Sequence, residues 1–159
     1  PHRAGNRHAS IAPYESYETA DGSIIIAAAN DKLFAGVCAA LDRPDLMDDP
    51  RFVDNPTRRA HIDELAEELE TTLRTDTREA WVERLRAHRV PVGPINSVPE
   101  ALAWAGEMDL AATVGDTDGR YVGIRSPIRI DGHVPVTATP PPRLDEHGEE
   151  IRRRAGDDS

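Results

Sequence analysis

An Asp-Gly pair followed at once by three isoleucines constrains this chain most. Asp21-Gly22 supplies turn chemistry, because glycine reaches backbone conformations that a Cβ forbids. The run Ser23 to Ala28 behind it holds Ile24, Ile25 and Ile26. β-Branched side chains suit a pleated strand, so this run and Tyr14 to Thr19 before the turn are expected to be strands. The second run is almost wholly apolar, which predicts that both its faces are covered.

The apolar period then changes from strand-like to helical. Asn30 or Asp31 can cap a helix whose Leu33, Phe34, Val37, Cys38 and Leu41 form one stripe. Pro44 closes that region. Asp45 to Val53 reads as irregular and contains Asp49-Pro50-Arg51-Phe52. Asn55-Pro56 predicts a helix start, with Asn55 as N-cap and the proline where its missing N–H costs nothing. That helix should run to Arg74 with Ile62, Leu65, Leu69 and Leu73 inward and Glu64, Glu67, Glu68 and Glu70 mainly outward. Asp76 and Glu79 have capping-box spacing for a further helix, with Trp81, Val82, Leu85 and His88 as its inner stripe and Pro91 as its end.

Val92 to Ile95 reads as an extended connection. Ser97 and Glu100 form another capping box, opening a short helix with Leu102 and Trp104 that stops near Gly106. A short turn is expected over Met108 to Ala111. Thr113 to Asp116 and Arg120 to Ile124 read as a hairpin around Asp118-Gly119, with Ile128 to Ile130 as a further strand. After His133, Pro135 and Pro140-Pro141-Pro142 favour extended, polyproline-like chain, and Glu146 to Arg154 a terminal helix. Strands, then helices, then strands imply an α+β fold: a mainly antiparallel sheet with helices packed on one face. The expected division is a loop or linker over residues 1–12, a small α+β domain over 13–130, and an extended proline-rich arm with a short helix over 131–159. No internal repeat is visible.

Composition narrows the function classes. A chain of 159 residues, 38% hydrophobic and 30% charged, suits one compact soluble domain. Aromatics make up only 4%, so the core must rest on Leu, Ile, Val and Ala. A net charge of −10 repels phosphate backbones, which argues against a nucleic-acid partner. Arg152-Arg153-Arg154 reads as a solvated helix face or tail. The single cysteine, Cys38, sits among apolar neighbours and reads as a small buried hydrophobe. It allows no disulfide within the chain, in keeping with a reducing, cytoplasmic location. No apolar run approaches membrane-spanning length, no secretory signal is visible, and a start at Pro1 suits a fragment.

Direct signals of chemistry are few. His2, His8, His61, His88, His133 and His147 do not pair with one another, with Cys38 or with Asp at ligand spacing, so no metal site is expected. There is no G-x-G-x-x-G or P-loop pattern and no G-x-S-x-G elbow. The exception is the stretch from Gly5 to Pro13. Asn6, Arg7, His8, Ala9 and Ser10 bring an amide, a cation and an imidazole together, either to line a ligand site or as an ordinary polar linker.

Several motifs in one order resemble a known family. Gly5-Asn6-Arg7-His8, Pro13-Tyr14, Thr19-Ala20-Asp21-Gly22 and the isoleucine run to Asn30 are followed by Asp49-Pro50-Arg51-Phe52 and then Arg58 or Arg59. Trp81 and Leu85, Val90-Pro91-Val92-Gly93-Pro94, Ser126-Pro127-Ile128, Pro141-Pro142-Arg143-Leu144 and Glu146-His147 come next. Over nearly its whole length the chain resembles the C-terminal, small-domain portion of class III CoA-transferases, the CaiB/BaiF family. That family includes formyl-CoA transferase and alpha-methylacyl-CoA racemase.

The resemblance implies a large Rossmann-like domain of the same protein as partner, an interlocked homodimer, and an acyl-CoA and a carboxylic acid as substrates. It implies no permanently bound cofactor; coenzyme A enters as the substrate thioester. Transferases of this kind use an aspartate of the large domain, through anhydride and enzyme-thioester intermediates. Racemases use an Asp/His pair. No aspartate of this chain matches either, so no catalytic residue is expected here and the chain alone should be inactive.

The stretch Asn6, His8, Ala9 and Ser10 corresponds to the loop that closes over the acyl site. In formyl-CoA transferase that loop is glycine-rich, whereas here no glycine follows Gly5. His8 is expected to hydrogen-bond an acyl carbonyl or carboxylate. Asp49 to Phe52 and the arginines after it are expected to pin a loop to a helix. Three functions remain open: part of a CoA-transferase, part of a racemase-type isomerase, or a non-catalytic interaction module with the same fold.

Overall fold

The structure, a computed structural model, describes residues 5–108, 110, 113–115, 119, 121–133 and 141–156. The chain divides into two compact units, Pro1–Ile95 and Asn96–Ser159.

The first unit is built on an antiparallel sheet. β1 (Tyr14–Glu18) and β2 (Ser23–Ala27) pair around Thr19 to Gly22, whose ends are tied by the Thr19 N–H to the Gly22 carbonyl at 2.7 Å. Gly22 sits at φ +151°, which an L side chain rarely adopts, so the turn itself demands glycine; a Cβ there would also come within 2.9 Å of the Arg78 side chain, which would have to shift. Val92 to Ile95 is not merely a connection. Val92–Pro94 forms β3, pairing antiparallel with β2 to give the order β1-β2-β3. Proline fits there because an edge strand has no partner waiting for its N–H.

One face of the sheet is covered. Tyr17, Ile24 and Ile26 are buried there together, since Tyr17 pairs with Ile24 and Glu15 with Ile26 in the register. The expectation of two covered faces for the isoleucine run fails at Ile25, which is 39% exposed on the opposite side. Strand alternation decides this: the helices pack on one face, and Ile25 is one residue out of phase with it.

Helices fill the covered side. α1 (Asp31–Ala40) is capped by Asn30, whose side chain accepts from the Leu33 N–H, and buries Phe34, Val37 and Cys38. The stretch after Pro44 carries a short helix, α2 (Asp45–Asp48). α3 (Asn55–Ala60) and α4 (Ile62–Leu73) replace the single helix expected over 55–74. The chain breaks at His61, φ −114° and ψ 38°. Asp54, not Asn55, is the N-cap, exchanging a capping box with Thr57. Leu65, Leu69 and Leu73 of α4 are fully buried, each contributing roughly 1.5–3 kcal/mol of transfer free energy.

α5 (Arg78–Ala87) is capped by Thr77 rather than Asp76, which instead pairs with Arg84 at 2.6 Å. Trp81, Val82 and Leu85 are buried as expected, but His88 lies exposed at the C-cap, one turn past the buried stripe. The Trp81 ring N–H donates to the Leu73 carbonyl at 2.7 Å, tying α5 to the end of α4.

The second unit contains α6 (Val98–Glu107), whose Ser97–Glu100 capping box is present. β4 (Thr113–Gly115) and β5 (Val122–Ile124) pair as an antiparallel hairpin. In place of a strand at Ile128 to Ile130 there is a single bridge between Ile130 and His133. α7 spans Gly148–Gly156. Pro135, Pro140 and Asp118, and part of the turn expected after Met108, lie outside the described residues. No described residue of this unit is buried; Val98, Val122 and Ile124 are all about 70% exposed. The architecture is α+β, with antiparallel sheets and helices.

Candidate functional site

The loop from Gly5 to Pro13 is held at both ends by side chains that sequence periodicity does not reveal. At its start the Arg7 guanidinium donates to Glu15 and to Asp63, each at 2.6 Å, joining the loop to β1 and α4. Hydrogen bonds to Asp63 and Glu15 hold Arg7 above its usual range, so it is a fixed cation. Glu15 is an inward carboxylate, 5% exposed, that needs such a partner. Tyr17 lies beside it, its hydroxyl 3.5 Å from Oε1, and burial followed by the Glu15 charge pushes that hydroxyl well above its ordinary range. Asn6 bonds Ser16 through its side-chain amide and also accepts from the Ser16 N–H.

At the far end Asn55 and Arg58 take over. Freed from capping, Asn55 donates to the Ser10 carbonyl at 2.9 Å and accepts from the Ala12 N–H at 3.0 Å. Arg58 is fully buried. It donates to the Ala12 carbonyl at 2.8 Å, the Phe52 carbonyl at 3.0 Å and Asp31 at 2.5 Å, and covers the Phe34 ring. Of the two arginines offered for the pinning role, Arg58 performs it. Asp49 and Arg51 pair with each other, and Arg51 also reaches Glu68.

Between these anchors His8 to Ile11 lies at the surface. The His8 ring stacks on Tyr14, with centroids 4.9 Å apart and 18° between planes. The Ser10 N–H points at His8 Nδ1, 3.2 Å away. That contact makes Nδ1 the acceptor and leaves the ring proton on Nε2. His8 therefore presents its Nε2–H as a donor suited to a carbonyl or carboxylate oxygen. Asn6 is turned to Ser16, and Ser10 supplies backbone contacts plus a hydroxyl 3.5 Å from His8 Nδ1. Ala9 is exposed.

Asn55, Glu15 and Tyr14 are not singled out by sequence as parts of this site. A usable signal existed for one: Asp54 three residues before Thr57 already marks the cap and leaves Asn55 without that duty. Cys38 is buried and its thiol is pushed up to about 11, chiefly by burial, which removes it from nucleophilic chemistry. Among the described residues no cluster of three His, Cys, Asp or Glu is placed to hold a metal ion. No helix among them is long and apolar enough to cross a membrane.

Comparison with known proteins identifies the chain's relatives. Residues 1–148 match the model of CoA-transferase family III. The acetyl-CoA:oxalate CoA-transferase of Acetobacter aceti is 33% identical over 96% of this chain and 39% of its own length. The succinate–glutarate CoA-transferase of Agrobacterium fabrum is 36% identical over 95% of this chain and 38% of its own. A crystal structure of a CaiB/BaiF family protein from Brucella suis superposes with a TM-score of 0.81 at 34% identity, covering 97% of this chain and 40% of that one. The fold is thus that of CaiB/BaiF family proteins. The chain is a member of CoA-transferase family III. It spans about two fifths of the length of these relatives.

Proposed function

We propose that this chain is the C-terminal, small-domain part of a class III CoA-transferase that moves CoA from an acyl-CoA to a carboxylic acid. The observation that carries the reading is the two-ended anchoring of residues 5–13 in a chain whose relatives are CoA-transferases. Relatives named for oxalate, succinate and glutarate support a short dicarboxylic acid as the acceptor class.

In this reading the chemistry resides on a large Rossmann-like domain of the same protein. An aspartate there attacks the acyl-CoA carbonyl and CoA leaves as thiolate. The thiolate attacks the aspartyl carbonyl of the anhydride, releasing the first acid and leaving an enzyme thioester. The acceptor carboxylate then displaces CoA to form a new anhydride, and CoA attacks its acyl carbon to regenerate the aspartate. This chain contributes the covering loop. The Nε2–H of His8 steadies the acyl oxygen, while Asn6, Ala9 and Ser10 shape the loop around it. The exposed apolar side chains of Val98, Val122, Ile124 and Ile128 support burial against the large domain or a second subunit of an interlocked cytoplasmic homodimer.

The test is transfer of radiolabelled acid into CoA thioester. The full-length protein should incorporate label, and the 159-residue chain should not. Incorporation by the short chain alone would put the chemistry within these residues. Loss of α-hydrogen to deuterated water without label transfer would favour the isomerase.

A further inference from the structure

The geometry points to Arg59 as the residue that receives the second, non-reacting carboxylate of a dicarboxylic acid, an assignment that rests on the CoA-transfer reading above. Three arginines surround the loop of residues 5–13, and they are not equivalent. Arg7 is neutralised by Glu15 and Asp63. Arg58 is neutralised by Asp31. Arg59, the next residue of α3, has no carboxylate partner among the described residues. It is half-buried, and its Nη1 donates only to the backbone carbonyl of His8 at 3.3 Å.

That contact places a cation against the loop at the residue whose ring carries the Nε2–H donor. A backbone carbonyl accepts a hydrogen bond but does not cancel charge. The guanidinium has five N–H groups in a planar fork, so donors remain for a carboxylate. A dicarboxylic acid poses the matching problem. One carboxylate is consumed in forming the anhydride, while the other stays ionised as the site loses water. Leaving that charge unpaired in a covered site is costly, and a bidentate guanidinium is the side chain best shaped to meet it. A monocarboxylic acid makes no such demand. Arg59 therefore sets acid choice without touching the reacting atoms, and its neutralised neighbours hold the loop in place.

The experiment compares wild type, Arg59→Gln and Arg59→Lys in the full-length protein, with one acyl-CoA donor and two acceptors, glutarate and butyrate. In Arg59→Gln the ratio of kcat/KM for glutarate to that for butyrate should fall at least tenfold, mainly through KM for glutarate. Arg59→Lys should recover part of that ratio. Equal loss on both acids, with a lowered Tm, would make Arg59 a support of the His8 loop and overturn the assignment. An unchanged ratio would overturn it too, leaving CoA transfer intact. Wild-type protein that transfers CoA to neither acid would instead overturn the CoA-transfer reading, and this assignment with it.

Discussion

The guanidinium carbon of Arg58 lies 4.4 Å from the centroid of the Phe34 ring, so a charged side chain stands in the middle of an apolar core. Burial of this kind is tolerable only because every direction open to the guanidinium holds a partner: ring face, two carbonyls and a carboxylate. Replacing it strands the Ala12 and Phe52 carbonyls without water or donor. Arg58→Met should lower unfolding free energy by at least about 2 kcal/mol, from two buried acceptors left unpaired. Arg58→Lys should recover less than half, since one ammonium cannot reach three separated acceptors. Urea unfolding measures both, and a near-neutral Arg58→Lys would contradict the anchor.

His8 should matter through the hydrogen on Nε2. In the full-length protein, His8→Ala should raise KM for the acyl donor several-fold while changing the Kd of free CoA little. Tyr14→Phe keeps the stacked ring and should leave the tautomer intact; Tyr14→Leu removes it and should shift activity toward His8→Ala. Nitrogen chemical shifts of selectively labelled histidine read the tautomer directly. A predominant Nδ1–H form in the wild type would contradict the Ser10 contact.

Alkaline pH should unfold the first unit through Cys38 and Tyr17. Both groups hold their protons more tightly folded than unfolded: Cys38 from the usual 9.0 to about 11, Tyr17 to well above 10.0. The unfolded chain therefore releases protons first as pH rises. Stability is full below pH 9 and is lost progressively through 9–11 and above. Cys38→Ala should flatten that slope between pH 9 and 11. An equally steep slope in the variant would remove Cys38 from the account. Native protein should also react slowly with thiol reagents at pH 8.

Amide exchange should separate the two units in the 159-residue chain. Leu65, Leu69 and Leu73 bury one full side of α4, whereas α6 and α7 bury no residue. Opening free energy follows buried apolar contact, so α4 should be the most protected segment and α6 and α7 among the least. Protection of α6 equal to α4 would show packing that the exposed Trp104 and Val98 do not make.

What the amino-acid order discloses follows from the range of the interaction. Asp21-Gly22, the Asn30 cap, the Ser97–Glu100 box and the Leu65–Leu69–Leu73 stripe are each contained in a few consecutive residues, and periodicity reads them. The inward Glu15 has no such signature, because its partner Arg7 comes from the loop rather than from a helix face. Arg58 was one of two adjacent candidates, separable only by knowing which side of α3 meets Phe34. Asn55 was read as a cap because Asn-Pro so often is one; Asp54 competed for that place and won through Thr57. The loop was legible as a site by its composition and its family resemblance, while its rigidity depends on bonds that span 43 and 46 residues of sequence.

Those long-range bonds hold the loop by its backbone, at the carbonyls of His8, Ser10 and Ala12, and leave the side chains of Ala9 and Ser10 exposed outside them. Arg7 and Asn6 grip one side; Asn55 and Arg58 grip the other. The two exposed side chains between them behave as an exchangeable cassette on a permanent frame. Substitution of those exposed side chains should carry little toll in folding, so the outer surface of the loop is open to change separately from stability.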